Sequence, residues 1–326
     1  MLKSFGNYVS HSKFLLFYLK NYGINKTLRT LYYYNYRLLK LKFLEKNSDQ
    51  IVNVNGYKLH VIPDDPGISS ELRIFNVHEP ITTEKTLEVL KEGMVCLDIG
   101  SNIGYYTLLE SKAVGNSGKV IAVEPSPRNF DFLKNNLKLE KVTNVEAYNL
   151  AIGDKDGEVK FAISDRSNLG YVISDDQDLI ERTSEKVSKK PKMTRTLMVI
   201  KVPMKKIDSF LEEKKLERLD FVRMDIEGFE IKLFEGFWNT ITKFKPIIQM
   251  EFHNYLFDKE IKIRFFQKLK EKGYEIKYFM PRELDRPITG KSEDIKELSI
   301  DDLIVMFDKG PQYEGIMLFL ENNNII

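Results

Sequence analysis

The chain has 326 residues, of which 42% are hydrophobic and 30% are charged. This composition excludes a globally disordered chain, and the length suits one catalytic domain with an appendage. The only cysteine, Cys96, lies in an apolar run, so no internal disulfide can form. These features fit a protein of the reducing cytoplasm.

Residues 1–50 are predicted to form a basic, aromatic-rich helical extension. Residues 1–44 contain eight Lys or Arg and no acid, so the rest of the chain is net acidic. Apolar side chains recur at helical spacing, but the longest apolar run, 14–19, is far shorter than the ~20 residues that span a bilayer. Two interpretations stay open. The helix either caps the catalytic domain or contacts the inner face of an anionic membrane peripherally.

Residues 51–326 are predicted to form one α/β domain, because short apolar runs alternate with helical stretches. The predicted strands of a doubly wound, mostly parallel sheet are 95–99, 120–123, 145–150, 221–224 and 247–250, and a further strand at 57–62 is expected to precede this sheet. A helix is expected at about 82–91, and another begins after Ser126 as N-cap with Pro127 in its first turn. Peripheral strands at 158–163 and 196–202 bracket the polar segment 164–195, which we interpret as a variable loop or lid.

A glycine-containing turn from Asp98 to Gly104 directly follows the strand at 95–99 and precedes a helical run. In a doubly wound sheet such a turn lies at the edge where ligands bind. Asn102 replaces the second glycine of a Gly-x-Gly-x-x-Gly motif, which disfavours a dinucleotide and hence an NAD-dependent oxidoreductase. The carboxylate of Asp98 favours a positively charged ligand such as S-adenosylmethionine. Glu124 ends the next strand, where an acid accepts hydrogen bonds from ribose hydroxyls.

Several blocks of the sequence resemble the FkbM family of methyltransferases over roughly residues 75–255. These blocks are Leu97 to Thr107, Val123 to Pro127, Asn149 to Asp154 with Gly157, Asp225 to Glu230 with Gly236, Pro246, and Glu251 to His253. Arg223 departs from the family, in which lysine is usual at this position. The resemblance implies a Rossmann-like class I methyltransferase with a seven-stranded sheet and S-adenosylmethionine as cofactor. The cofactor-binding residues are then expected to be Asp98, Gly100, Ser101, Asn102, Gly104, Tyr105, Glu124 and Pro125.

Four catalytic candidates follow two predicted strands at the same sheet edge: Asp225, Glu227, Glu251 and His253. A methyltransferase must align its reactants and remove one proton from the acceptor. We rank Asp225 first as proton acceptor, then His253 and Glu227, and expect Glu251 to orient a partner. Asp225, Glu227 and His253 also suit a divalent metal, but no spacing demands one and no metal site is predicted. His11, His60 and His78 are given no role.

The family resemblance favours O-methylation of a carbohydrate, glycolipid or related natural-product acceptor. The alternative is a non-catalytic module that binds S-adenosylmethionine and docks on a membrane or partner through residues 1–44. No nucleic-acid partner is expected, because the chain beyond these residues is net acidic.

Overall fold

A computed structural model describes residues 2–43, 50–173, 196–309 and 313–323 of the chain. Most of the predicted lid at 164–195 therefore lies outside the described residues. The helices are α1 (Leu2–Phe43), α2 (Ile68–Phe75), α3 (Pro80–Val89), α4 (Tyr105–Val114), α5 (Pro127–Leu139), α6 (Ile207–Glu213), α7 (Glu230–Phe234), α8 (Trp238–Phe244), α9 (Lys259–Glu271) and α10 (Ile300–Lys309). The strands are β1 (Ile51–Val54), β2 (Tyr57–His60), β3 (Val95–Ile99), β4 (Lys119–Val123), β5 (Val145–Tyr148), β6 (Ala151–Gly153), β7 (Gly157–Ser164), β8 (Tyr171–Ile173), β9 (Thr196–Lys206), β10 (Phe221–Met224), β11 (Ile247–Phe252), β12 (Tyr274–Pro281) and β13 (Ile316–Asn322).

The main sheet has seven strands in the order β12-β13-β11-β10-β3-β4-β5. Strand β13 runs antiparallel to both of its neighbours, and the pairs from β11 to β5 are parallel. The strand order reverses between β3 and β10, which is the switch point at which open α/β sheets bind ligands. The predicted seven-stranded, mostly parallel Rossmann-like sheet is confirmed.

The two central strands are covered on both faces, as the continuous apolar character of parallel strands predicts. All four residues of β10 are buried, and so are the last four of β3, including Cys96. The register of this parallel pair places Arg223 beside Asp98. An arginine and an aspartate are thus brought together inside an otherwise apolar layer.

The predicted strand at 145–150 is divided between two sheets. Strand β5 ends at Tyr148, and β6 belongs to a second sheet with the order β6-β9-β7-β8. Asn149 lies at the break, where its side-chain amide donates to the carbonyl oxygens of Glu124 and Pro125. The peripheral strands expected at 158–163 and 196–202 are found as β7 and β9, which pair antiparallel.

The helix expected at 82–91 begins two residues earlier, at Pro80, a residue suited to a first helical turn. The N-cap of α5 is as predicted, because Ser126 Oγ accepts a hydrogen bond from the Asn129 N–H at 3.4 Å. The strand expected at 57–62 is found as β2, which pairs antiparallel with β1, whereas β1 and α2 were not predicted. They add a layer beside α4 and α5.

Helix α1 packs on the domain with one face and has a break at Gly23, where φ is +75°. The buried Tyr33 donates to Glu71 at 3.2 Å, and Arg29 forms a 2.6 Å ion pair with Asp294. Tyr22 stacks on Tyr313 with ring centroids 5.6 Å apart. Among the described residues, no helix combines the length and apolar character needed to cross a membrane.

Candidate active site

The turn between β3 and α4 forms the floor of the site. Gly100 has a φ of +84°, and a Cβ at this position would lie 2.2 Å from the carbonyl oxygen of Asp225. Asn102 also adopts a left-handed conformation, with a φ of +51°. The close approach of the turn to the end of β10 therefore requires glycine at position 100.

The carboxylate of Asp98 lies behind this turn. The residue is fully buried, accepts a hydrogen bond from Thr107 Oγ1 at 2.6 Å and pairs with Arg223 Nη1 at 3.0 Å. It is absent from the residues that line the cleft above. Arg223 already pairs with this carboxylate, so the expectation that Asp98 meets the positive charge of a ligand directly stays a prediction.

Glu124, at the end of β4, does line the cleft. One carboxylate oxygen accepts the N–H of Asn102 and the other accepts the N–H of Ser126, both at 2.8 Å. Burial raises the pKa of Glu124 to about 7, although these hydrogen bonds act in the opposite direction. The side chain is thus held rigidly at the edge of the sheet.

The cleft consists of two chambers along the carboxyl edge of the sheet. The narrow chamber, about 610 Å³, is lined by Glu124, Pro125 and Asn129 and by the apolar side chains of Ile152, Phe161 and Phe229. The wide chamber, about 1030 Å³, is lined mainly by tyrosines and charged side chains. Five residues line both: Gly100, Asn102, Asn168, Asp225 and Glu227. The two chambers therefore meet at Asp225.

The four predicted catalytic residues form one carboxylate–histidine cluster, defined as Asp225, Glu227, Glu251 and His253. His253 Nε2 lies 3.3 Å from Glu227 Oε2 and 3.7 Å from Glu251 Oε1. Asp225, Glu251 and His253 each present a possible ligand atom, and these atoms lie within 4.8 Å of one another. These three residues have the spacing and donor types to hold a divalent cation.

The members of the carboxylate–histidine cluster differ in how their surroundings shift their pKa values. Although burial disfavours its charge, the carboxylates of Glu227 and Glu230 hold the pKa of His253 well above the usual value. Burial, reinforced by the charge of Glu251, raises the pKa of Asp225 well above that of an ordinary aspartate. These shifts favour Asp225 over His253 as the proton acceptor, because stabilising the protonated form of the histidine makes it less available as a base.

The turn that carries Asp225 and Glu227 is strained. Glu227 has a φ of +50°, a left-handed conformation that side chains other than glycine and asparagine rarely adopt. Glu230 supports this turn, because its Oε1 accepts the N–H of Gly228 at 2.9 Å and lies 2.7 Å from His253 Nδ1. Strain of this kind is characteristic of functional sites.

The other predicted cofactor residues occupy different places. Gly100 and Asn102 line both chambers, Pro125 lines the narrow one, and Ser101 and Tyr105 line the wide one. Gly104 lies outside both, where a Cβ would be 2.7 Å from Leu133 Cδ1. Its glycine allows α4 to approach α5.

Sequence reasoning missed several residues of the wide chamber, namely His78, Arg166, Asn168, Arg282 and Arg286. His78 had been given no role, yet it lies 3.3 Å from both Glu71 and Glu79. Although burial opposes its charge, the two carboxylates raise the pKa of His78 to about 10. The only signal in the sequence was the presence of Glu71 and Glu79 near His78, and nothing placed these residues beside the sheet edge.

The chain matches the family described as Methyltransferase FkbM domain over residues 98–276, more than half of its length. It is 23% identical over 172 residues to Methyltransferase 1 of Beauveria bassiana, covering 52% of this chain and 69% of that protein. It is 25% identical over 175 residues to Methyltransferase sdnD of Sordaria araneosa, covering 49% of this chain and 67% of that protein.

Among solved structures, the chain is similar to Methyltransferase FkbM from Methylobacillus flagellatus, with 14% identity and a TM-score of 0.41. That similarity covers 73% of this chain and 50% of the solved one, so this chain spans half the length of that protein. The family match includes the turn after β3, Glu124 and the whole carboxylate–histidine cluster. The chain belongs to the FkbM methyltransferase family, whose members take their methyl group from S-adenosylmethionine.

Proposed function

We propose that this chain transfers a methyl group from S-adenosylmethionine to a hydroxyl oxygen of a carbohydrate, glycolipid or related acceptor. The observation that carries the proposal is the position of Asp225, whose side chain lies where the narrow and wide chambers meet. A group at this junction reaches a donor in one chamber and an acceptor in the other. Alignment of two reactants and removal of one proton are what such a transfer requires.

The residues of the narrow chamber fit S-adenosylmethionine. Gly100 brings the backbone of the turn close to Asp225, and Glu124 presents carboxylate oxygens beside apolar side chains suited to an adenine ring. We assign Glu124 to the ribose hydroxyls. When bound, the cofactor supplies a methyl group made electrophilic by a positively charged sulfur.

Asp225 is assigned as the proton acceptor. Its pKa is raised by burial and by Glu251, so it is ready to hold a proton in the empty cleft. A positive charge nearby lowers the pKa of a carboxylate. The positive charge of a bound cofactor would therefore favour the ionised form of Asp225. Its carboxylate would receive the proton that the acceptor hydroxyl loses when its oxygen takes the methyl group, with S-adenosylhomocysteine as the leaving group.

The wide chamber favours an acceptor with several hydroxyl groups. Its wall includes Tyr105, Tyr255, Glu227, Glu251 and Arg282, which together offer both donors and acceptors of hydrogen bonds. Such a wall suits sugar hydroxyls better than an apolar ring system. His253 and Arg282 hold Glu251 from two sides, at 3.7 and 3.3 Å, which keeps its carboxylate in place.

We further propose that α1 holds the protein on an anionic membrane. Its outward face carries an apolar stripe, defined as Leu16, Ile24, Leu28, Tyr32, Leu38 and Leu39, each more than half exposed. Lys20 and Lys40 are also exposed on this helix. Apolar side chains with basic neighbours suit the headgroup region of anionic lipids, where each cation contributes about 1 kcal/mol.

The acceptor class is tested by incubating the full-length protein with methyl-labelled S-adenosylmethionine and a cell-envelope extract. The account expects the label in the carbohydrate or glycolipid fraction, on an ether-linked methyl that resists mild alkali. Label that is released by mild alkali as a carboxylate ester, or that enters RNA, would contradict the proposal. Cofactor binding without any incorporation would favour a non-catalytic module instead.

Membrane contact is tested by co-sedimentation with phosphatidylcholine vesicles, with and without phosphatidylglycerol. The double variant Ile24→Glu/Leu28→Glu is expected to lose binding to the anionic vesicles. The matched control, Leu87→Glu/Val305→Glu, makes the same change at exposed apolar positions outside α1 and is expected to bind normally. Equal sedimentation of the two double variants would refute this part of the proposal.

A further inference from the structure

Two arginines in the wall of the wide chamber lack a direct acidic partner among the described residues, although Arg286 interacts electrostatically at longer range with the buried Glu71. Arg166 follows β7, and Arg286 follows the short helix Arg282–Leu284 near the end of the chain. Neither forms an ion pair with any part of the chain that the structure describes. The Nε of Arg286 is moreover buried without a hydrogen-bond partner.

Arg282, in the same wall, is an arginine that does form ion pairs. Its Nη2 lies 2.7 Å from Glu79 Oε1, and its Nε lies 3.3 Å from Glu251 Oε2. Arg166 and Arg286 are both half-buried in the chamber wall and keep unpaired charged donors there. An anionic group that enters the chamber would gain charged hydrogen bonds from them.

The charges of the wide chamber are separated along its wall. The carboxylate–histidine cluster lies beside the cofactor turn, and Arg282 touches the cluster through Glu251. Arg286 follows four residues later and lies over the ring of Tyr33, 5.8 Å from its centroid. The chamber thus has an acidic reacting end and a basic end that α1 helps to form.

Two further carboxylates, Glu283 and Glu314, line the wide chamber. Glu283 Oε1 accepts the N–H groups of Glu314 and Gly315, at 2.7 and 3.3 Å, and burial raises the pKa of Glu283. Glu314 lies at the far margin, where the chamber continues into a groove lined by Phe17 and Tyr313. Neither carboxylate is within ion-pair distance of Arg286.

We infer that the arginine pair, Arg166 and Arg286, binds a phosphate group of the acceptor, so that the substrate is a phosphorylated sugar whose hydroxyl reaches Asp225. This inference rests on the proposed O-methyl transfer and narrows its acceptor. Guanidinium groups from two separate elements suit a tetrahedral phosphoryl group, whose terminal oxygens can accept from both forks. Nucleotide-linked and lipid-phosphate-linked sugars share this chemistry.

Calorimetry of the full-length protein saturated with S-adenosylhomocysteine tests the site without requiring turnover. The titrants are inorganic pyrophosphate, glucose 1-phosphate, glucose and glucuronate. Phosphate-bearing titrants are expected to bind, and Arg286→Gln and Arg166→Gln should each weaken them by roughly 10- to 100-fold, as for a lost charged hydrogen bond. Arg264→Gln removes an exposed arginine of α9 and should change nothing. Unaltered affinity for S-adenosylhomocysteine shows that each variant is folded.

The inference would be overturned if no phosphate-bearing titrant binds, or if these titrants bind equally to the wild type and to all three variants. It would also be overturned if glucuronate, but not glucose 1-phosphate, binds in a way that depends on the two arginines. Uridine diphosphate glucose and a short-chain lipid phosphate distinguish the two sources, and arginine-dependent binding of either supports the site. If phosphate binding depends on the two arginines but no hydroxyl is methylated, the proposed function is refuted, whereas the anion-binding site is supported.

Discussion

Nη2 of Arg223 lies 3.3 Å from Oδ2 of Asp225, while Nη1 of the same guanidinium lies 3.0 Å from Oδ1 of Asp98. The guanidinium also stacks on the ring of Tyr106, 4.2 Å from its centroid. One buried arginine thus connects the turn to which we assign the cofactor with the carboxylate that we assign as proton acceptor. The lysine usual in this family offers a single ammonium, which cannot pair with both acids as a planar fork does.

The raised pKa of Asp225 predicts how activity depends on pH. A proton acceptor works only when ionised, so kcat/KM should fall as the pH drops through the pKa of Asp225 in the free protein. Because Glu251 raises that pKa, Glu251→Gln should move the acid limb to lower pH by about one unit. The measurement is kcat/KM against pH for both proteins. An acid limb that stays in place, or moves upward, would contradict the assigned coupling.

Glu124 predicts a pH-dependent cofactor affinity. Its pKa of about 7 means that it loses its negative charge just below neutral pH, and a protonated carboxyl is a weaker acceptor for ribose hydroxyls. The dissociation constant of S-adenosylhomocysteine should therefore rise as the pH falls below neutrality. Glu124→Gln should weaken binding by roughly 10- to 100-fold and abolish this dependence. Glu140→Gln, a change outside both chambers, is the calorimetric control.

Alanine variants of Gly100 and Gly93 distinguish the effect of a steric clash from that of backbone strain. Their φ values are +84° and +81°, but a Cβ at Gly93 meets only Ser117 Oγ at 3.6 Å. Gly93→Ala should cost about 1–2 kcal/mol, the strain of a left-handed alanine. Gly100→Ala should cost roughly 2 kcal/mol more and abolish cofactor binding, because its Cβ collides with the carbonyl of Asp225. Urea unfolding and calorimetry measure both effects, and equal behaviour of the two variants would exclude the clash.

Because of Glu110, on α4, we predict that the free energy of unfolding decreases as the pH rises. The side chain is fully buried, neither carboxylate oxygen has a partner, and burial raises its pKa well above that of an ordinary glutamate. The folded state holds the proton of Glu110 more tightly than the unfolded state does. The stability that this proton contributes is therefore fully present below the pKa that Glu110 has in the unfolded chain. It is lost as the pH rises towards the folded pKa, at about 1.4 kcal/mol per pH unit.

Glu110→Gln should therefore gain stability over the wild type at about pH 8 and little at about pH 5. The free energy of unfolding in urea at both values tests this. Glu84→Gln, whose side chain is 58% exposed, is the control and should show no such difference. A variant that is equally destabilised at both values would show that the charge of Glu110 is not the cause.

The cofactor turn could be predicted because strand, glycine turn and helix are encoded within a few consecutive residues. The convergence of Asp225 and His253 was also predictable, since parallel strands end at one edge. The inward orientation of Asp98 was not, because it depends on the register that places Arg223 beside it. Strand β5 was predicted too long, since the apolar run continues through Leu150 although the chain changes sheets at Asn149.

The basic end of the wide chamber shows a different limit of sequence reasoning. Arg282 and Arg286 follow the antiparallel end of the sheet, beyond the residues that match the family. His78 lies ahead of those residues, just before α3, which packs against α4. Long-range packing of this kind leaves no local pattern, which is why the reacting end was found and the basic end was missed.

The central claim, that Asp225 accepts the acceptor's proton, is tested most directly by Asp225→Asn. Methyl transfer should be measured from labelled S-adenosylmethionine to the glycan or glycolipid fraction, with the affinity for S-adenosylhomocysteine measured on the same protein. The account predicts a loss of ~10²- to 10⁴-fold in turnover with cofactor affinity changed only a few-fold, and no effect of the exposed control Asp131→Asn. Turnover within a few-fold of the wild type would contradict it.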